Sequence, residues 1–104
     1  MKNVVATKKA PAAIGPYSQA IEYNGVLYVS GQIPVNPESG AVEAETIEGQ
    51  AEQSLKNVGA ILKESGLTYE NVLKTTCFIA DMGDFAKFNE VYAKYFKEDA
   101  PARS

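Results

Sequence analysis

Apolar residues recur along the chain with two different periods. At period two, Tyr17 to Tyr23 and Val26 to Gln32 read as strands, and Val72 to Asp81, rich in β-branched residues, reads as another. Asn24-Gly25 between the first two signals a hairpin, because both central residues of a type I′ turn need positive φ. A shorter extended candidate, Asn3-Val4-Val5-Ala6-Thr7, precedes a proline-containing loop that ends at Ile14-Gly15-Pro16. Asn36-Pro37-Glu38-Ser39-Gly40 reads as a turn. At the helical period, Ile47, Ala51, Leu55, Val58 and Leu62 share one face, with Ile61 beside them. Thr46 is the expected N-cap of that helix and Gly66 its left-handed terminator. Phe85, Phe88, Tyr92, Tyr95 and Phe96 form the stripe of a second helix capped by Asp84. It should fray near Asp99, since Pro101 disfavours a helical residue before it.

The predicted order is therefore β, β-hairpin, α, β, α, a single α+β domain over residues 1–104 with no repeat and no linker. A strand–helix–strand passage calls for a right-handed crossover, with both helices covering one face of a mixed sheet. No strand is predicted after the second helix, so the sheet is expected to end short. In the stretch from Val72, residues Leu73, Thr75, Cys77 and Ile79 face one side, while Lys74, Thr76, Phe78 and Ala80 face the other. Ile21, Tyr23 and Phe78 cannot all lie under helices. A sheet with a partly apolar second face usually buries it, so self-association is expected.

Composition narrows the function classes. A length of 104 residues allows one core. With 45% hydrophobic and 22% charged residues the chain is globular, and it has no apolar run near the ~20 residues of a membrane span. Ten basic against thirteen acidic residues give a net charge of -3, which argues against a nucleic-acid partner. With no histidine and one cysteine, a His/Cys metal site, a histidine-dependent triad and an internal disulfide are excluded. Met1 to Ala10 carries lysines but no apolar stretch, so no secretory signal and a cytoplasmic location are expected.

Acid–base work would fall to Glu, Asp, Lys, Tyr or Cys. Cys77 lies mid-strand on the helix-facing side, where a thiol packs as a core residue. Arg103, the only arginine, lies past both helices; its planar fork suits a carboxylate or phosphate, and a solvated arginine is the plain alternative. Asn89 sits at the edge of the second stripe, i+4 from Phe85, and could bond a neighbouring backbone group or hold a substrate loop. Tyr17 precedes a strand and Ser30-Gly31 ends one; a glycine there admits close approach to a ligand or marks a bulge. Glu43, Glu45 and Glu48 complement the dipole of the first helix.

Together these segments resemble a known family. Ala10-Pro11-Ala12-Ala13-Ile14-Gly15-Pro16-Tyr17-Ser18-Gln19, Ser30-Gly31-Gln32-Ile33-Pro34, Lys74-Thr75-Thr76 with Phe78, Phe88-Asn89-Glu90-Val91-Tyr92 and Pro101-Ala102-Arg103-Ser104 are similar to the RidA/YjgF reactive-intermediate deaminases, archetypal RidA subgroup. The resemblance runs in order from about Val5 to the last residue. It implies a chorismate-mutase-like fold and a homotrimer around a central barrel, with active sites in the clefts between subunits. It also implies cofactor-free hydrolysis of 2-aminoacrylate and other 2-enamino or 2-imino acids to 2-keto acids and ammonia. Arg103 would pair with the substrate carboxylate, helped by backbone groups around Gly31. Tyr17 and Ser30 would line the cleft, and Asn89 would orient a loop or the substrate. In the family the Pro-Ala-Arg-Ser motif opens a strand, and a later strand carries the acid–base glutamate; relative to that pattern the chain is expected to be short by ~15–20 residues, about two strands. A second reading from another class is a non-catalytic trimer that binds small carboxylates, or acts as a regulator or chaperone, through the same cleft. A ribonuclease reading ranks third.

Overall fold

Antiparallel pairing organises the first third of the chain. In the computed structural model, which describes residues 1–104, β1 (Asn3–Val5), β2 (Ala20–Tyr23) and β3 (Val26–Val29) form one sheet in that order. The turn joining β2 and β3 has φ of 51° at Asn24 and 76° at Gly25, the two left-handed residues that the Asn-Gly signal predicts. Register sorts the side chains: Val5, Ala20, Leu27 and Val29 pack with Ala10, Ala60 and Ile61, on the helix side. The opposite face carries the row Val4, Ile21 and Tyr28. A second hairpin pairs β4 (Val35–Asn36) with β5 (Ala41–Val42) across the expected turn, with Gly40 at φ 74°.

The helix α1 (Ile47–Glu64) begins where Thr46 accepts a hydrogen bond from the Gly49 N–H at 3.1 Å. It ends in a Schellman motif: the Leu67 N–H reaches the Leu62 carbonyl at 2.8 Å and the Gly66 N–H reaches that of Lys63 at 3.0 Å, with Gly66 at φ 72°. Ala51 and Leu55 meet Val91, Tyr92 and Phe96 of the second helix region, while Ile61 meets the sheet. One side chain departs from the apolar stripe. Asn57 is 1% exposed; its amide donates to the carbonyls of Ile33 and Val35, both at 3.0 Å, and accepts from Gln53 at 2.9 Å. That amide ties the loop before β4 to the helix.

The second half departs from expectation in four places. From Val72 to Asp81 only β6 (Lys74–Thr75) is ladder-paired; Thr75, Cys77 and Ile79 are half-buried and Lys74, Thr76, Phe78 and Ala80 exposed, as alternation requires, but Leu73, expected on the helix side, is 76% exposed. The β-propensity is there, but pairing needs a neighbour, and the neighbour here is short. A two-residue strand, β7 (Ala102–Arg103), does follow the second helix and runs parallel to β6, against the reading of the residue pattern but where the family resemblance has Pro-Ala-Arg-Ser open a strand. Two residues leave no periodic signal. The single mixed sheet is thus three small sheets beneath two helices. Asp84 makes no side-chain cap; Asp81 accepts from the Gly83 N–H at 2.8 Å, opening a 3₁₀ turn (Met82–Asp84) that runs into α2 (Phe85–Tyr95). The helix stops four residues before Asp99 because Phe96, at φ -120° and ψ 82°, leaves the helical path while its ring is buried in the core.

The molecule measures 42 × 33 × 19 Å, and its thin dimension holds one helix layer on one sheet layer. Only 11 of 104 residues are buried, so the far face, including Val4, Tyr23, Tyr28 and the 92%-exposed Phe78, is left uncovered. No helix is long and apolar enough to cross a membrane.

Two outcomes test this packing. The Tyr69 hydroxyl donates to the Leu55 carbonyl at 2.6 Å, in the space a Cβ at Gly59 would occupy. Gly59→Ala, which in an open helix would stabilise, should therefore destabilise by ~1–2 kcal/mol in urea denaturation. Burial, and then the neighbouring Glu52, raise the ionisation of Tyr69 and Tyr95 above the ordinary value of 10.0. A raised folded-state value means their contribution is complete below about pH 10 and is lost as pH climbs through the raised values. The urea midpoint should hold up to that pH and fall above it, and less steeply in Tyr95→Phe.

Candidate functional site

The five residues singled out in the sequence fall into two groups. The first is built by α2 and the β6–β7 pair. Phe85, Asn89 and Tyr92, at i, i+4 and i+7, project from one face of α2. Across them lies the exposed Arg103 side chain. Its Nη1 donates to the Asn89 Oδ1 at 2.7 Å. Its Cζ sits 4.7 Å from the Tyr92 ring centroid and 5.4 Å from that of Phe85, within cation–π range of both. Tyr92 is buried, and its hydroxyl lies 2.7 Å from the Thr75 Oγ1. Asn89 thus meets the Arg103 side chain, and its side chain makes no bond to a neighbouring backbone group. Arg103 is exposed, yet its guanidinium meets an amide and two aromatic rings.

The second group surrounds a buried amide. Gln19, 5% exposed, accepts from the Thr7 N–H at 2.7 Å and donates to the carbonyls of Thr7, Ala10 and Pro11 at 3.0, 3.2 and 2.7 Å. This spans the loop that leads to Tyr17, whose hydroxyl accepts from the Ile14 N–H at 3.4 Å while the ring stays half exposed. The Ser30 Oγ donates to the Ser18 carbonyl at 2.6 Å, and its N–H to that of Gln19 at 2.9 Å. Gly31 lies two residues beyond β3, outside any ladder, so it marks no bulge. A Cβ there would meet only open space, which leaves its backbone free to approach a ligand. No hydrogen bond joins this group to the first.

Cys77 packs half-buried against the cluster that contains Leu55 and Tyr92, as a core thiol does. No group of three or more His, Cys, Asp or Glu side chains is placed to hold a metal ion. A cleft of about 180 Å³ between α1 and the β4–β5 hairpin contains none of the five residues. Sequence reasoning gave Phe85 and Tyr92 no role beyond the core stripe and the resembling segment, quoted Gln19 and Thr75 only as part of resembling segments, and did not single out Asn57. For the first two a signal existed: a polar Asn89 between two aromatics at helical spacing marks a face with its own task.

The sequence profile described as endoribonuclease L-PSP matches residues 7–104. The chain is 54% identical over 99% of its length to reactive intermediate deaminase A, chloroplastic, of Arabidopsis thaliana, and spans 55% of that protein. It is 47% identical over its whole length to the Homo sapiens 2-iminobutanoate/2-iminopropanoate deaminase, and spans 76% of that one. A Yersinia pestis protein described as belonging to the conserved Rid family superposes with a TM-score of 0.97 at 50% identity, over 100% of this chain and 83% of the other. The Escherichia coli TdcF structure with bound serine superposes with a TM-score of 0.92 at 43% identity, over 98% and 82%.

The Gln19 hub makes a direct test of how this site is supported. Gln19→Leu keeps the shape but strands one N–H and three carbonyls; it should cost ~2–3 kcal/mol of unfolding free energy and raise hydrogen exchange at Thr7.

Proposed function

The chain belongs to the endoribonuclease L-PSP family, the RidA/YjgF group, and on that premise we propose that it hydrolyses 2-aminoacrylate and related 2-enamino and 2-imino acids to 2-keto acids and ammonia. The observation that carries this reading is the Arg103 guanidinium, held against Asn89 and two aromatic rings while the rest of its donor fork faces solvent. Planar two-donor recognition is what a 2-imino carboxylate needs. An enamine first takes a proton at C3 to become the imine. Water then adds across the C2–N bond, and the resulting carbinolamine expels ammonia and leaves the keto acid. The imine carbon is already electrophilic, so no side-chain nucleophile is required, and positioning of carboxylate and water is the main contribution. In this reading Arg103 takes the carboxylate and the backbone at Gly31 assists. Tyr17 and Ser30 line the cleft.

Assembly completes the reading. Arg103 and Asn89 are hydrogen-bonded to each other, and Tyr17, Ser30 and Gly31 stand apart from them on the loops around Gln19. A homotrimer of chorismate-mutase-like subunits around a central barrel would bring one subunit's first group against the next subunit's second. The uncovered apolar face supports this, since Val4, Tyr23 and Tyr28 would be removed from water by such packing. A binding role without turnover is the second reading, favoured by the serine-bound relative, whose ligand is an amino acid rather than an imine. The ribonuclease named in the family description draws no support from a chain of net charge -3 that lacks histidine.

The test is a coupled assay in which a serine or threonine dehydratase generates the enamine and keto-acid release is followed. The protein should accelerate release, and Arg103→Ala should lower kcat/KM by about 30-fold or more, with Arg103→Lys failing to restore it. Absent acceleration together with Arg103-dependent binding of 2-ketobutyrate would establish the binding reading instead.

A further inference from the structure

We propose that Phe85, Asn89, Tyr92 and Thr75 are positioning residues that hold the Arg103 guanidinium in an anion-receiving pose without neutralising its charge. The inference rests on Arg103 being the carboxylate receptor and concerns what prepares it. An exposed arginine at the end of a two-residue strand would ordinarily sample many rotamers, and a ligand would have to order them on arrival. Here the ordering is already present. Thr75 is the residue opposite Arg103 in the parallel ladder, and its hydroxyl is 2.7 Å from that of Tyr92. The Tyr92 ring in turn lies 4.7 Å beneath the guanidinium carbon. The backbone that carries the arginine and the ring that supports its head are therefore referenced to one strand pair. Phe85 adds a second ring at 5.4 Å. Asn89 then sets the rotation about the ring plane by accepting from Nη1, which leaves the Nε–Nη2 edge as the free two-donor fork.

The choice of partners carries the argument further. Asn89, Phe85 and Tyr92, which meet the guanidinium, are all neutral. A carboxylate at position 89 would make a stronger bond to Nη1, but it would also cancel the charge a ligand carboxylate must find. An amide is the group of the same shape that orients the fork and leaves it cationic. Rings serve likewise, since their faces attract a cation without compensating its net charge.

The experiment uses the full chain, with 2-ketobutyrate as the calorimetric probe and thermal denaturation in parallel. Asn89→Asp, nearly isosteric, should weaken binding by more than about tenfold while the melting temperature stays level or rises. Phe85→Leu should weaken binding roughly two- to fivefold, raising KM more than it lowers kcat in the dehydratase-coupled assay, and Phe85→Tyr should restore it. Thr75→Val and Tyr92→Phe, which each break the hydroxyl contact but keep the ring, should act alike and not additively. In an Arg103→Ala background, Phe85→Leu should add nothing. Wild-type affinity in Asn89→Asp, or a Phe85→Leu effect that persists without Arg103, would overturn the proposal. If Arg103→Ala itself leaves 2-ketobutyrate binding unchanged, the carboxylate-receptor reading fails instead, so the two failures are distinguishable.

Discussion

Three backbone hydrogen bonds hold the parallel meeting of the chain's last residues with the segment before α2. The Ala102 N–H donates to the Leu73 carbonyl at 3.0 Å, that of Ser104 to Thr75 at 3.1 Å, and that of Cys77 to Ser104 at 2.8 Å. Parallel pairing requires a long crossover between strands, and here α2 supplies it. Consequently the helix lies over the pair it connects, and Arg103, the second residue of β7, meets the helix face directly. Arg103 has no other route to Asn89. Its position follows from the ladder register, the crossover length and the 100° step between helical residues, before any side-chain contact is counted.

Elsewhere, buried amides do the fastening. Gln19 and Asn57 are both buried, and each donates its amide N–H groups to the backbone carbonyls of a loop. A loop cannot bring enough apolar surface to fix itself, but its carbonyls must be satisfied wherever water is shut out. One amide therefore stabilises a stretch that would otherwise be held only by its ends. The Thr7–Pro11 and Ile33–Val35 loops flank Tyr17 and Gly31, so the second half of the candidate site stands on these two residues.

The helices and hairpins were legible in the sequence because their causes are local. Asn24-Gly25 demands its turn, Thr46 its cap and Gly66 its terminator, and each does what its chemistry requires. The strand at 102–103 was not legible in the residue pattern, since pairing between residues ~28 positions apart leaves no trace in two residues; only the family resemblance, in which Pro-Ala-Arg-Ser opens a strand, pointed to it. Asp84 looked like a cap because aspartate before an apolar stripe usually is one; Asp81 took the role because a 3₁₀ turn comes first. At the site, Arg103 and Asn89 could be named from residue chemistry and resemblance, and their direct contact could not. Thr75 and Tyr92 were hidden for another reason: each has an ordinary core or strand identity, and only the tertiary fold shows the hydroxyls meeting.

The slab's thin section has a consequence for how the protein's stability should be understood. Only 11 of the 104 residues are buried, so in the proposed trimer the chain would draw much of its hydrophobic driving force from surface that a neighbouring subunit covers. In the proposed trimer, association and folding become linked equilibria, and the free energy of the native state acquires a term in the logarithm of protein concentration. For such a protein dilution acts as a mild denaturant, and there is no single melting temperature apart from the concentration at which it is measured.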